Sequence, residues 1–168
     1  VLSGHLATMS YGQEPFDPTK DGWSFGNKGR SVDSWKLFRR TYLGVTEKQD
    51  CVAAPFDCEM FKLWKDSGKE GVCGGMAHLA LALKKYGGYL GYCHPPGIFT
   101  GGKNGPPDKA DLYDALSIIQ ARQFSARGIR HYLDIADAGK ICDPVSAFYD
   151  ARDAVAKNAY PVLSISKD

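Results

Sequence analysis

At 168 residues the chain fits one domain that buries roughly two-thirds of the surface its unfolded form exposes. Its 21 basic and 19 acidic residues are interspersed and leave a net charge of +2, which excludes the charged footprint of a nucleic-acid or anionic-membrane binder. With 43% hydrophobic and 24% charged residues the composition is that expected of a soluble globular protein, and no apolar run is long enough to cross a bilayer.

The first thirty residues are rich in Gly, Pro and polar groups, with Tyr11, Phe16, Trp23 and Phe25 interspersed, and read as an extended segment held by aromatic anchors. Residues 1–10 lack the charged and apolar regions of a signal peptide. A helix is expected from Ser31 or Asp33, with Trp35, Leu37, Phe38, Tyr42 and Leu43 as its apolar stripe and Gly44 as its stop. Lys36, Arg39 and Arg40 form its wet face. A second helix starts at an Asp57 cap and carries Met60, Phe61 and Trp64 toward Gly68. The third opens at Cys73 and runs to about Tyr86, with Lys84 and Lys85 complementing the dipole and Gly87-Gly88 ending it. Residues 92–107 hold four prolines and four glycines and read as a long surface loop, of the kind that lines or covers a site. A fourth helix near Pro107-Asp108 carries Leu112, Leu116 and Ile119, a fifth covers 129–136, and a sixth covers 144–158.

The stretch 161–166, PVLSIS, is the one strand signal. A lone strand cannot form a stable sheet, so it needs weaker strands elsewhere in the chain or residues that the chain lacks. The expected fold is therefore α+β, with a helical part over 31–158 and a strand over 161–166 in one domain or subunit spanning 1–168.

Five cysteines leave at least one unpaired if the others form disulfides. Cys51 and Cys58 flank a stretch containing Pro55, while Cys93 and Cys142 sit in loop-like surroundings. Two disulfides among these four leave Cys73 as the single free thiol and suit an extracellular or otherwise oxidising compartment. Five reduced cysteines in a cytosolic protein are the alternative, and other pairings stay open. No Asn-x-Ser/Thr sequon is present.

Cys73 carries the chemistry. A thiol attacks as its thiolate, and the unpaired N–H groups and positive dipole end of a helix N-terminus favour that anion. The same N–H groups can receive the oxyanion that forms when a carbonyl is attacked. Gly74 and Gly75 keep the approach open for a substrate backbone, and Gly71 permits the tight entry turn. The alternative is a buried cysteine at a helix start whose glycines serve only packing.

The run GVCGGMAHLAL over 71–81 resembles the nucleophile motif of papain-like cysteine peptidases, in a branch where Gly-x-Cys-x-Gly-Met-(Ser/Ala) opens the central helix. Gly22-Trp23-Ser24-Phe25-Gly26-Asn27 resembles the aromatic, Asn-bearing segment that precedes that helix. The resemblance covers these two segments and the helix-first order of elements. It implies a papain-like helical half with a central nucleophile helix, then a β half whose first strand is 161–166. It also implies the order Cys, then His, then Asn or Asp, but His5, His78, His94 and His131 all precede Pro161. The expected His thus lies beyond Asp168, in a second polypeptide that completes the β half or in a C-terminal segment; the alternative is that no catalytic His of the family type exists.

Of the histidines in the chain, His78 lies about 140° around the helix from Cys73 and cannot easily touch the thiol. His94 is a loop residue, His5 is terminal, and His131 is the one in-chain candidate for a base later in the sequence. Papain-like enzymes place an oxyanion-donating Gln a few residues before the nucleophile, but that position here is Ser67. Asn27, or Gln13 in the same segment, takes the role by position, with a turn-forming Asn before Gly29 as the alternative.

No metal or cofactor is expected. Cys51 and Cys58 are too far apart for a zinc knuckle, and the glycines at 101, 102 and 105 with Lys103 do not follow the phosphate-loop pattern. The tryptophans and tyrosines could line a carbohydrate or peptide groove, but at helical spacing they read as core. The expected function is a cysteine hydrolase that cleaves peptide bonds through a thioacyl intermediate on Cys73. Two alternatives are a non-catalytic disulfide-stabilised extracellular module and a thiol-dependent acyltransferase of transglutaminase type.

Overall fold

A computed structural model describes residues 14–30, 32–93, 110–139, 143–157 and 159. Four of the described helices begin where a side chain satisfies an unpaired first-turn amide. Asp17 accepts from Thr19 N and starts α1 (Pro18–Asp21). Ser34 accepts from Leu37 N and starts α2 (Trp35–Thr41). Ser125 caps α6 (Ala126–Asp137), and Asp143 caps α7 (Pro144–Ala156) through Val145 N and Ser146 N. In α3 (Pro55–Asp66) the start is Pro55 at the first helical position, two residues before the expected Asp57 cap. Asp57 instead accepts from Thr46, from its N–H at 3.0 Å and its hydroxyl at 3.1 Å. The remaining two helices are α4 (Cys73–Tyr86) and α5 (Ala110–Arg122).

Helix α5 is the axis of the molecule. On one flank Leu112, Tyr113, Leu116 and Ile119 pack with Leu79 and Leu83 of α4, together with Phe25 and Val72. On the other, Ile118 and Ala121 pack with Leu37 and Phe38 of α2 and with Phe61 and Trp64 of α3. A helix lined by apolar residues on both flanks is buried almost all round, which explains the length of its apolar run. Each large side chain buried here contributes about 1.5–3 kcal/mol. Two polar handles in this core are satisfied: Trp64 Nε1 donates to Thr41 Oγ1 at 3.0 Å, and the Tyr42 hydroxyl donates to Ala121 O at 2.7 Å. The buried Ser117 Oγ of α5 has no partner among the described residues. The helical stripe of α2 stops at Thr41, so Leu43, expected within it, lies beyond the helix and is exposed.

The expected α+β fold with a β half is not what forms. Among the described residues there is no strand; an isolated bridge joins Tyr89 to Tyr92 across a tight turn, by bonds of 2.8 and 2.9 Å. The reason lies in the periodicity: apolar residues recur at helical spacing through the described chain, and only six residues alternate. Those six, 161–166, lie outside the described residues, as do His5, Gln13, His94, Cys142 and most of the expected loop over 92–107.

Cys51 and Cys58 form a disulfide that ties the loop before α3 to the second turn of that helix. Cys73 and Cys93 are both free and exposed, so Cys73 is not the only free thiol. No described helix is long and apolar enough to cross a membrane. The outer helices α6 and α7 leave Ile129, Tyr132, Leu133, Phe148 and Val155 exposed.

The buried phenols set an alkaline limit on stability. Burial pushes Tyr42 up to about 12, and it also raises Tyr113 and, with help from Asp111 and Asp114, Tyr92. In the unfolded chain a phenol loses its proton near pH ~10, so above that pH the folded state holds protons that the unfolded state has released. The stabilisation is complete below about pH 10 and is lost as pH rises toward 12. The urea midpoint should fall across that window, and the fall should be shallower in Tyr42→Phe.

Candidate functional site at the head of α4

The chain enters α4 through Gly68–Val72. Gly68 O accepts from Arg30 N at 3.0 Å and from Gly71 N at 3.2 Å. Gly71 has φ +147, a region side chains rarely adopt, and a Cβ there would lie 2.5 Å from Asn27 Nδ2. Asn27 Oδ1 accepts the Val72 N–H at 2.7 Å, and Val72 itself is buried. Asn27 therefore braces the entry turn, and its carbonyl oxygen is committed there. Asn27→Ala should lower stability by about 2 kcal/mol, the cost of stranding a partly buried N–H, in a denaturant melt.

The segment carrying Asn27 is held along the same helix. Trp23 Nε1 donates to Met76 O at 2.8 Å, and Phe25 packs into the core beside Val72 and Leu79. The two segments singled out in the sequence, 22–27 and 71–81, thus meet. At the other end of α4, Gly87 in the left-handed conformation donates to Leu83 O, and Lys84 pairs with Asp21 at 3.0 Å, both largely buried.

Cys73 is the first residue of α4, and its side chain is exposed. Val72, the residue before it, makes no side-chain cap. Capping comes instead from distant parts of the chain. Val72 N–H goes to Asn27, Gly75 N–H goes to Gln120 Oε1 at 3.0 Å, and Met76 N–H closes the first helical bond on Val72 O at 2.8 Å. Among the described residues the N–H groups of Cys73 and Gly74 have no partner, and they flank the thiol. An exposed thiol beside two unspent donors on a rigid helix end is an arrangement suited to attack on a carbonyl.

The glycines divide in role. Gly74 is half-buried at the rim, whereas Gly75 is buried, and a Cβ on it would collide with the backbone carbonyl of Leu116. Gly75 therefore allows α4 and α5 to approach and does not open the site to substrate. His78, one turn further on, has Nδ1 2.8 Å from Gly74 O, which requires the ring to donate from that nitrogen. His131 is exposed on α6. No hydrogen bond joins Cys73 to a histidine among the described residues. Cys93 lies by Gly88, at the opposite end of α4, so Cys73 and Cys93 are about 20 Å apart along the helix. No group of His, Cys, Asp and Glu that could hold a metal ion occurs among the described residues.

Two residues of the site carry no sequence signal strong enough to find them. Gln120 lies in the last turn of α5 and Gln123 in the turn just past its end, where an apolar helix turns polar, and only the α4–α5 packing brings them to Gly74 and Gly75. No family model matches the chain, and no characterised protein or solved structure matches it.

Proposed function

We propose that the protein is a cysteine hydrolase that cleaves peptide bonds, with Cys73 as its nucleophile. The observation that carries this reading is the exposed Cys73 thiol on the first turn of α4, flanked by the unpartnered N–H groups of Cys73 and Gly74. The resemblance of 71–81 to the nucleophile motif of papain-like peptidases supports it as well.

The sulfur bonds to the carbonyl carbon, and the displaced electron pair moves onto oxygen, where the two amides receive it. Collapse restores the carbonyl and breaks the C–N bond. The amine leaves with the proton that the thiol gave up, and water then cleaves the thioester to release the acid and the thiol. The proton moves through a general base. His78 already spends one nitrogen on Gly74 O, and His131 makes no bond to the thiol, so this reading takes the base from a histidine of a second polypeptide. The Cys51–Cys58 disulfide fits a site of action in an oxidising, extracellular compartment.

The test is acylation by p-nitrophenyl acetate, followed by peptide mass at Cys73. Acetyl transfer to Cys73 ahead of Cys93, which is also exposed, supports the reading. Equal, slow labelling of the two thiols favours a non-catalytic module.

A further inference from the structure

Helix α6 carries an apolar face that the described chain leaves open to solvent. None of its residues is buried, and Ile129, Tyr132 and Leu133 are 47%, 62% and 51% exposed. Ala126, Ile129, Leu133 and Ala136 recur at alternating spacings of three and four, the seam that one helix offers to another, and Tyr132 lies along one edge of it. Arg130 and Asp137 lie two turns apart on the other edge, and among the described residues neither has an ion-pair partner. The charges of α6 also run against its own dipole: Arg127 stands in the first turn, and Asp134 and Asp137 stand in the last. That order weakens an isolated helix. Beside an antiparallel neighbour it is complemented, because each acidic end then meets a basic, N-terminal end.

We infer that this face is the interface of a symmetric dimer, in which α6 of one copy of the chain pairs antiparallel with α6 of a second copy. Ile129 of each copy packs on Leu133 of the other, and Ala126 packs on Ala136, where small side chains let the helix ends approach. In an antiparallel pair like edges face each other. The two Arg130 side chains therefore flank the two-fold axis, each with Asp137 of the other copy on its outer side, and two ion pairs form. A surface that complements itself in this way is what an isologous contact requires. A parallel pair would instead set Arg130 beside Arg130 and Asp137 beside Asp137. A lipid surface fits less well, because Arg127 and Arg130 are balanced by Asp134 and Asp137 and leave no excess of positive charge for anionic headgroups. The 12 residues of α6 span about 18 Å, so the contact is at the small end of specific interfaces and the dimer dissociates in the micromolar range. The pairing is independent of the chemistry at Cys73.

Sedimentation velocity reads the pairing directly. Between about 1 and about 100 μM the wild-type chain should pass from 18.4 kDa toward twice that mass. Arg130 and Asp137 are exposed, so their variants should fold, with unchanged far-UV circular dichroism. Reversing either charge turns both ion pairs into repulsions, so Arg130→Asp and Asp137→Arg should each raise the dimer Kd about tenfold. The double variant restores opposite charges across the axis and should return to within about threefold of wild type. Leu133→Glu should be monomeric throughout. A wild-type chain that stays monomeric at about 100 μM would overturn the inference. So would single reversals that change nothing, or a double variant as weak as the single ones. Binding of the monomer to phosphatidylserine vesicles, lost in Leu133→Glu, would overturn it in favour of a membrane surface.

Discussion

Cys73→Ser should abolish acylation and peptide hydrolysis, by a factor on the order of 10⁴ or more, while the protein unfolds at the wild-type denaturant concentration. The loss follows from the chemistry of the replaced atom. A hydroxyl is far harder to ionise than a thiol, and a helix end with two free amides cannot make up that difference. Stability is untouched because the Cys73 side chain is exposed and makes no hydrogen bond, so the helix start and its tertiary caps stay in place. Surface substitutions of that kind change stability by about 0.5 kcal/mol or less. Cys93→Ser is the matched control, since it removes an exposed thiol at the far end of the helix and should leave acylation of Cys73 intact. Retained acylation in Cys73→Ser would remove the proposed nucleophile. A large fall in its stability would show that the thiol is part of the packing.

Much of the helical order is legible in the residues, because the longer helices carry apolar residues at helical spacing, whereas the four-residue α1, PTKD, carries none and forms in a segment that reads as extended. The expected span from Cys73 to Tyr86 is the one that forms, since Gly87 and the apolar face of α4 are local and unambiguous. Helix α3 starts at Pro55, and not at Asp57, because a proline fits the first position and Asp57 finds a better partner in Thr46. Helix α6 begins at Ala126, three residues before the expected 129, because Ser125 supplies a cap that the apolar pattern does not reveal. The expected β half rests on the resemblance and on a six-residue alternation, and neither outweighs the helical periodicity of the described residues. The site shows the same division. An exposed thiol on a helix start could be read from glycines and a dipole, but the caps come from Asn27 and Gln120, each 45 residues away from the amide it holds. Contacts at that separation leave no trace in local spacing. That is also why Gln123 goes unseen, and why Gly75, read as an opening for substrate, is instead a helix contact.

The missing local cap on α4 has a consequence for function. A Ser, Thr or Asp at position 72 would turn its oxygen to the amides two or three residues on, Gly74 or Gly75, and so compete for donors at the head of the helix. Val72 instead anchors the turn in the core, and caps arriving from outside occupy only the amides of Val72 and Gly75. The amides left over are those of Cys73 and Gly74. The helix end is thus stabilised by tertiary contacts without closing the position where the thiol sits, and its rigidity depends on how tightly α4 is pressed against α5.

Gly75→Val should therefore lower stability by about 3 kcal/mol. A Cβ at this position would overlap the Leu116 carbonyl oxygen and lie 2.9 Å from its carbon, and all the atoms involved are backbone, so no rotamer change can relieve the overlap. The helices must move apart, opening the packing of Leu79 and Leu83 against Leu112 and Leu116. The sign of the smaller change is diagnostic. In an exposed helix interior Gly→Ala stabilises by about 1 kcal/mol, because alanine loses less backbone entropy on folding. Gly75→Ala should be destabilising instead. Gly74→Ala, next to it, meets only the flexible ends of Gln120 and Gln123 and should fold at least as well as wild type. Urea unfolding of the three variants decides the point: if Gly75→Ala proves as stable as Gly74→Ala, the close approach of α4 to α5 is not what requires a glycine at 75.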